Sequence, residues 1–143
     1  MFALNDNNIS KLNLTKLEAV NDSKQWLSIK DINDVNSLTK QYSTIYQKHR
    51  VDNKWILMIN PENSSLESME NISKKSFSKI LRVNSNKVNV RLENIETALR
   101  KGNCSAVIIN NASFTDVELS QLYSSAKEGN TQCIILNNKN LMH

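Results

Sequence analysis

Hydrophobic and polar positions after residue 50 alternate between two periods, one typical of buried strands and the other of helices. Short apolar runs at 55–59, 105–109 and 131–136 are long enough for strands with both faces covered and too short for helices. Between them, at 92–99 and 119–126, apolar residues recur at the i, i+3, i+4 spacing of one helical face. Because strands and helices alternate with short connections, the pattern predicts an α/β fold with a mostly parallel sheet.

Helix boundaries in this half of the chain have recognisable signals. Thr115 with Glu118 three residues later is a capping box and predicts a helix start. Gly102 and Gly129 follow the two apolar stripes, and glycine tolerates the left-handed turn in which many helices end. We therefore expect each glycine to end a helix.

The segment that precedes these elements carries weaker signals. Apolar residues on one face predict a helix over 34–49 that ends in basic residues, with His49 solvated because no acidic or cysteine companion stands at ligand spacing. Ser64 and Glu67 predict a second capping box. The run 77–83 predicts a further strand.

The first third of the chain differs from the rest in composition. Residues 1–32 are rich in Asn, Ser and Lys, with scattered apolar positions and no sustained period, so we expect a loosely ordered arm that carries one short helix or edge strand. A single α/β domain over 33–136 and a tail over 137–143 complete the prediction. A chain of 143 residues has room for one such core.

Charge and hydropathy narrow the class of protein. The net charge of +4 and pI near 9.1 come from dispersed lysines and arginines, which is typical of a solvated surface and makes a nucleic-acid partner unlikely. The sequence has neither an apolar run of about 18 residues nor a signal peptide at its start. We therefore expect a cytoplasmic protein with no membrane partner. Cys104 and Cys133 fall at or in predicted buried strands, which favours reduced core thiols over a disulfide or a zinc site.

The residues expected at the strand ends are not typical of a catalytic site. Open α/β sheets usually bind ligands at the carboxyl ends of their strands, but Asn110 and other asparagines stand there. A phosphate loop needs glycines followed by Lys and Ser/Thr, and both glycines of this chain are used at helix ends. Asn110 also lacks the charge of a magnesium-binding Asp. Glu62 alone could act as a general base. The pattern predicts a binding protein without a cofactor, a metal or a catalytic residue.

The segment 96–136 (ETALRKGNCSAVIINNASFTDVELSQLYSSAKEGNTQCIIL) resembles the bacterial SulA cell-division inhibitors. The likeness lies in the ALR-x-GN helix end, the VI strand, the FT-x-x-E helix start and the EGN helix stop. The upstream stretch beginning KWILMINP at Lys54 aligns without a gap, and a short tail ending in His closes both. The resemblance covers about residues 52–143 and leaves the first third unmatched.

This resemblance implies a fold and a function. The fold would be a three-layer RecA-like domain, with helices flanking a mostly parallel sheet and no P-loop. The protein would be made in the SOS response to DNA damage, act as a homodimer, bind FtsZ and block its assembly into the septal ring. Lon protease would remove it, and the tail formed by Leu141, Met142 and His143 would match the signal for that turnover.

The resemblance also implies positions that contact FtsZ. They are Lys54 in place of a family Arg, Ile59 in place of a Leu, Met69 in place of a Trp, and the retained Lys79. Lys54 keeps the charge but loses the bidentate fork of arginine. Each position has an alternative interpretation: Ile59 and Met69 as core residues, and the two lysines as solvated surface.

Two further functions remain open from the residues alone. A RecA-like repair accessory would bind single-stranded DNA or a repair polymerase, and DNA binding needs exposed stacking aromatics. The candidates after residue 51 are Trp55, Phe77, Phe114 and Tyr123. A residual ATPase would instead use Glu62.

Overall fold

The computed structural model describes residues 25–73, 79–84 and 90–137. Within them, strands and helices alternate: β1 (Leu27–Asp31), α1 (Val35–His49), β2 (Trp55–Ile59), α2 (Asn63–Ser73), β3 (Ile80–Val83), α3 (Leu92–Lys101), β4 (Cys104–Asn110), α4 (Asp116–Gly129) and β5 (Gln132–Asn137). A short 3-10 helix, Arg50–Asp52, follows α1.

The five strands form one sheet in the order β1-β5-β4-β2-β3, with every neighbouring pair parallel. The predicted α/β class is therefore confirmed. The central strand β4 is buried along its whole length, which explains why its sequence is continuously apolar rather than alternating.

Helices cover both faces of the sheet and give the domain three layers. One core cluster joins α3 and α4 to the sheet through residues such as Leu99, Val107 and Leu122. The other joins α1 and α2 to the opposite face through Leu38, Met58 and other apolar residues. Successive apolar residues of β2, β4 and β5 contribute to opposite clusters, as the pleat requires.

The boundaries of α3 and α4 agree with most of the sequence signals. Thr115 and Glu118 form the predicted capping box, and Gly102 ends α3 with φ 73°. Gly129 has a different role from the one predicted. It is the last helical residue, and Asn130 takes the left-handed turn with φ 51°. A Cβ on Gly129 would lie 1.8 Å from the carbonyl oxygen of Leu99, so close packing against α3 is what requires glycine.

Between residues 60 and 83 the predicted Ser64 capping box is wrong, while the predicted strand is confirmed over Ile80–Val83. Helix α2 begins at Asn63, and a carboxylate oxygen of Glu62 accepts a hydrogen bond of 2.8 Å from the Ser65 amide. Ser64 therefore lies inside the helix and is not its cap. Strand β3 begins at Ile80, directly after Lys79 with φ 66°; residues 77 and 78 of the predicted strand lie outside the described residues.

The segment predicted as an N-terminal arm contributes the edge strand β1. Leu27–Asp31 pairs in parallel with β5. Its last three residues are exposed, which explains why the strand has a weak apolar pattern. Residues 1–24 lie outside the described part of the chain. No helix in that described part is long and apolar enough to cross a bilayer.

The histidine at the end of α1 was predicted wrongly. His49 is buried, and its Nε2 lies 2.9 Å from the side-chain oxygen of Gln132. This partner comes from β5, 83 residues further along the chain. A local acidic companion is also present, because an Asp52 carboxylate oxygen lies 3.8 Å from His49 Nδ1. The cysteine prediction is confirmed, because Cys104 and Cys133 are both free and buried.

Candidate functional site

The carboxyl edge of the sheet, where α/β proteins commonly bind ligands, is occupied by a buried hydrogen-bond network. The Tyr42 hydroxyl on α1 donates to the Asn110 side-chain oxygen at 2.7 Å. The Asn110 side-chain nitrogen donates to the Ile59 carbonyl at 3.1 Å. The Glu62 amide in turn donates to the Tyr42 hydroxyl at 3.1 Å. The network joins the ends of β4 and β2 to α1 and to the start of α2.

Burial shapes the chemistry of this network. Tyr42 and Asn110 are fully buried, and desolvation raises the pKa of Tyr42 to about 12. The phenol is therefore neutral at physiological pH and able to donate to Asn110. The Glu62 carboxylate accepts from the Ser65 amide and so caps the start of α2.

The loops that leave β2 and β4 are closed in the same way. Asn60 and Asn111 follow these strands with φ of 54° and 57°, a conformation in which asparagine is enriched. Their amides donate to the carbonyls of Val83 and Leu136 at 2.8 and 2.9 Å, which ties each loop to the neighbouring strand. The asparagines after β2 and β4 thus form turns and hydrogen-bond each loop to the adjacent strand. Over residues 25–73, 79–84 and 90–137, no three His, Cys, Asp or Glu side chains gather at metal-binding distance.

Two of the four predicted partner-contact residues lie together on the surface. Lys54 and Lys79 are both exposed at the start of β2 and β3. The Lys79 ammonium lies 5.7 Å from the centroid of the Trp55 ring and donates to the Asn53 carbonyl at 3.4 Å. That distance to the ring is within the range of a cation–π interaction. We call Lys54, Trp55, Lys79 and Leu81 the lysine–tryptophan patch.

Apolar exposure distinguishes this patch from an ordinary charged surface. The relative exposure of Trp55 is 39% and that of Leu81 is 44%, and a clustered exposed aromatic and Leu are typical of a binding surface. Lys54 also acts on the core beneath: burial raises the pKa of the Cys104 thiol, and the Lys54 ammonium lowers it in part. Sequence reasoning proposed Lys54 and Lys79 but missed Leu81, because nothing in a four-residue edge strand marks which residue is left uncovered.

The other two predicted contact residues are interior. Ile59 and Met69 are 4% and 2% exposed and belong to the clusters on opposite faces of the sheet. Of the two readings that the sequence left open for them, their position fits that of core residues.

The aromatic residues needed for stacking on single-stranded DNA are mostly unavailable. Tyr123 is buried and Phe114 packs against the core cluster around α3 and α4, while Phe77 lies outside the described residues. Trp55 is exposed, but its ring is covered on one face by Lys79. The tail Leu141, Met142 and His143 also lies outside the described residues.

Comparison with known proteins identifies the fold. No protein-family model matches the sequence, and no curated protein matches it significantly. The structure is similar to the crystal structure of SulA from Pseudomonas aeruginosa, with a TM-score of 0.64 and 17% sequence identity. The match covers 80% of this chain and 99% of that one. A likeness at this identity establishes that the chain has a SulA-like fold.

Proposed function

We propose that this protein is a SulA-like cell-division inhibitor that binds FtsZ and blocks its polymerisation without catalysis. The observation that carries the proposal is the occupied carboxyl edge, where Tyr42 and Asn110 fill the place at which a related sheet would hold a ligand. With the ends of β2 and β4 tied together in this way, the proposed role is binding through the protein surface. The fold shared with SulA supports the same proposal.

The lysine–tryptophan patch is the proposed contact surface. Lys54 and Lys79 supply positive charge around an exposed aromatic ring, and electrostatic complementarity of this kind speeds the encounter with an acidic partner. Ile59 and Met69, which the resemblance implies as contact positions, are buried, so in this proposal they stabilise the core and are not part of the contact surface.

The remaining parts of the proposal concern regulation and assembly. Induction by DNA damage, a homodimer and turnover by Lon protease through the C-terminal tail belong to the same proposed role. Each follows from the resemblance of residues 52–143 to the SulA inhibitors. Sedimentation equilibrium of the purified chain tests the dimer directly.

Sedimentation of FtsZ polymers tests the function. FtsZ is mixed with GTP and increasing amounts of this protein, and the polymer pelleted at each ratio is measured. A sequestering inhibitor removes polymer in proportion to its own concentration, up to an equivalence point set by binding stoichiometry. Undiminished polymer at molar excess would reject the proposal, and inhibition at a small fraction of the FtsZ concentration would indicate a catalytic mode instead.

A matched variant shows whether the patch is responsible. Lys54→Glu with Lys79→Glu reverses two charges of the patch, while Lys48→Glu with Lys127→Glu reverses two exposed charges on α1 and α4. Both variants change the net charge equally. We expect only the first to lose inhibition, and equal loss in both would show that the effect is one of net charge.

A further inference from the structure

An apolar groove adjoins the lysine–tryptophan patch. It runs between the exposed face of β2 and β3 and helix α3, with a volume of about 360 Å³. Trp55, Leu57 and Leu81 form its sheet side, and Ala98 forms part of its helix side. The groove exists because α3 packs over β4 and β2 and α4 lies beyond it, so the outer part of this face has no helix above it in the described chain.

Among the described residues, the charged residue that lines the groove is a lysine, and two further lysines lie close to it. Lys101 lines it directly, Lys79 stands over Trp55, and Lys54 lies close enough to act on Cys104, which lines the groove. No acidic residue is found among the described side chains that line it. A groove with an apolar floor and a lysine rim is complementary to an apolar side chain flanked by carboxylates.

We propose that this groove receives an apolar anchor side chain carried on an acidic segment of FtsZ. The inference rests on the proposed function and specifies how the contact is made. The anchor packs against Trp55, Leu81 and Ala98, and carboxylates on either side of it pair with the lysines. A single anchor of this kind at the centre of a small surface is where binding energy concentrates.

A second copy of this chain fits the groove less well. In a two-fold dimer each surface faces itself, so Lys54, Lys79 and Lys101 of one copy would approach the same lysines of the other. Like charges brought together at an interface disfavour association. The lysine rim therefore favours a partner of opposite charge over self-association through this face.

Filling the groove tests the proposal. Ala98→Phe places a bulky side chain in the space meant for the anchor and leaves the lysines unchanged. Ser124→Phe makes a comparable change on the exposed face of α4 and serves as the control. We expect Ala98→Phe to weaken binding to GDP-bound FtsZ by at least about tenfold, the size of a lost hot spot, and Ser124→Phe to leave the Kd unchanged.

A second variant guards against a folding defect. Leu81 is 44% exposed, so Leu81→Ser removes one wall of the groove at little cost to the core. We expect Kd to rise about three- to tenfold, with an unchanged Tm. If Ala98→Phe lowers the Tm, Leu81→Ser decides the result.

Tryptophan fluorescence reports whether the groove is covered. The sequence has two tryptophans, and Trp26→Phe leaves Trp55 alone. We expect the Trp55 emission to shift to shorter wavelength on addition of FtsZ, because the anchor excludes water from the ring. Tight binding with unchanged Trp55 emission and normal affinity of Ala98→Phe and Leu81→Ser would overturn the groove while leaving the proposed function intact. Absence of any FtsZ binding by the unmodified chain would overturn both.

Discussion

The carboxyl edge of the sheet and the lysine–tryptophan patch differ in how their polar groups are used. At the carboxyl edge the hydroxyl of Tyr42, the amide of Asn110 and the backbone of Glu62 satisfy one another inside the protein. At the patch the charges of Lys54 and Lys79 are directed to solvent beside exposed apolar surface. The polar groups of the first region pair with one another inside the protein, whereas the lysines of the second region are exposed.

Under the proposed function, this difference would explain how an α/β scaffold serves as a binding protein. A buried polar network that is fully paired fixes the relative positions of strands and helices. Here it ties β4, β2, α1 and α2 together at the edge where a ligand would otherwise enter. Under the proposed function, the contact surface would lie next to β3, the shorter of the two edge strands.

The largest loss of stability should come from disturbing the contact between Gly129 and α3, the helix that forms one wall of the groove. Gly129→Ala would place a methyl group 1.8 Å from the Leu99 carbonyl oxygen and 2.8 Å from the Arg100 Cα. Because both are backbone atoms, α3 and α4 must separate, and we expect a loss of at least about 3 kcal/mol in the free energy of unfolding.

Urea denaturation measures this loss, with Gly102→Ala as the matched control. Gly102 has φ 73° and a contact of 3.3 Å, so its cost should be nearer about 1 kcal/mol. A smaller effect at Gly129 than at Gly102 would contradict the assignment of close packing to Gly129.

The next largest effect concerns Met69, which the resemblance implies as a contact residue and which lies in the core. Met69→Ala should lower the free energy of unfolding by about 2–5 kcal/mol, because it leaves a cavity beneath α2. Met69→Leu conserves volume and should cost less than about 1.5 kcal/mol. Reduced FtsZ binding by Met69→Leu at an unchanged Tm would show instead that Met69 contacts the partner.

Tyr42→Phe tests the hydrogen-bond network at the carboxyl edge. The substitution leaves the Asn110 side-chain oxygen and the Glu62 amide without the hydroxyl, and we expect a cost of about 1–3 kcal/mol at pH 7. Inhibition of FtsZ should be unchanged where the variant is folded. Loss of inhibition by a fully folded Tyr42→Phe would place function at the carboxyl edge.

The same hydroxyl gives a pH dependence with a defined sign. The pKa of Tyr42 is raised from 10.0 to about 12 in the folded chain, so folding favours the protonated phenol. This stabilisation is complete below pH 10 and is lost as pH rises toward 12; it amounts to about 2–3 kcal/mol. The stability difference between the unmodified chain and Tyr42→Phe should therefore narrow over that range. Burial also raises the pKa of Cys133 to about 12, but Cys133 is common to both proteins. A constant difference from pH 8 to 12 would contradict the raised pKa.

The smallest expected effect is the change in Tm on adding nucleotide. With Tyr42 and Asn110 filling the carboxyl edge, Mg-ATP at millimolar concentration should leave the Tm unchanged. A ligand at one hundred times its Kd would stabilise the fold by about 2.7 kcal/mol, which thermal denaturation detects easily. Such a shift would revive the ATPase hypothesis.

The sequence predicted the fold where the signals were local. Continuous apolar runs marked β2, β4 and β5, and the Thr115 capping box and Gly102 marked helix ends, because strand burial and capping depend on nearby residues. The Ser64 capping box failed locally, because Glu62 caps that helix instead. Two other failures involve long-range partners. His49 contacts the side chain of Gln132 on β5, and Gly129 is required by the approach of α3.

The candidate site was predictable only in part for the same reason. Asn110 was recognised as an uncharged residue at a strand end, but its pairing with Tyr42, 68 residues away, has no local signal. Lys54 and Lys79 were found through resemblance, whereas the exposure of Leu81 depends on which part of the sheet α3 leaves uncovered.

The most direct test of this account compares FtsZ equivalence points for Tyr42→Phe and for the double variant Lys54→Glu with Lys79→Glu, under conditions where both are folded. We predict that Tyr42→Phe removes FtsZ polymer at the same molar ratio as the unmodified chain, while the double variant leaves the polymer intact. Inhibition lost by Tyr42→Phe and retained by the double variant would contradict the account.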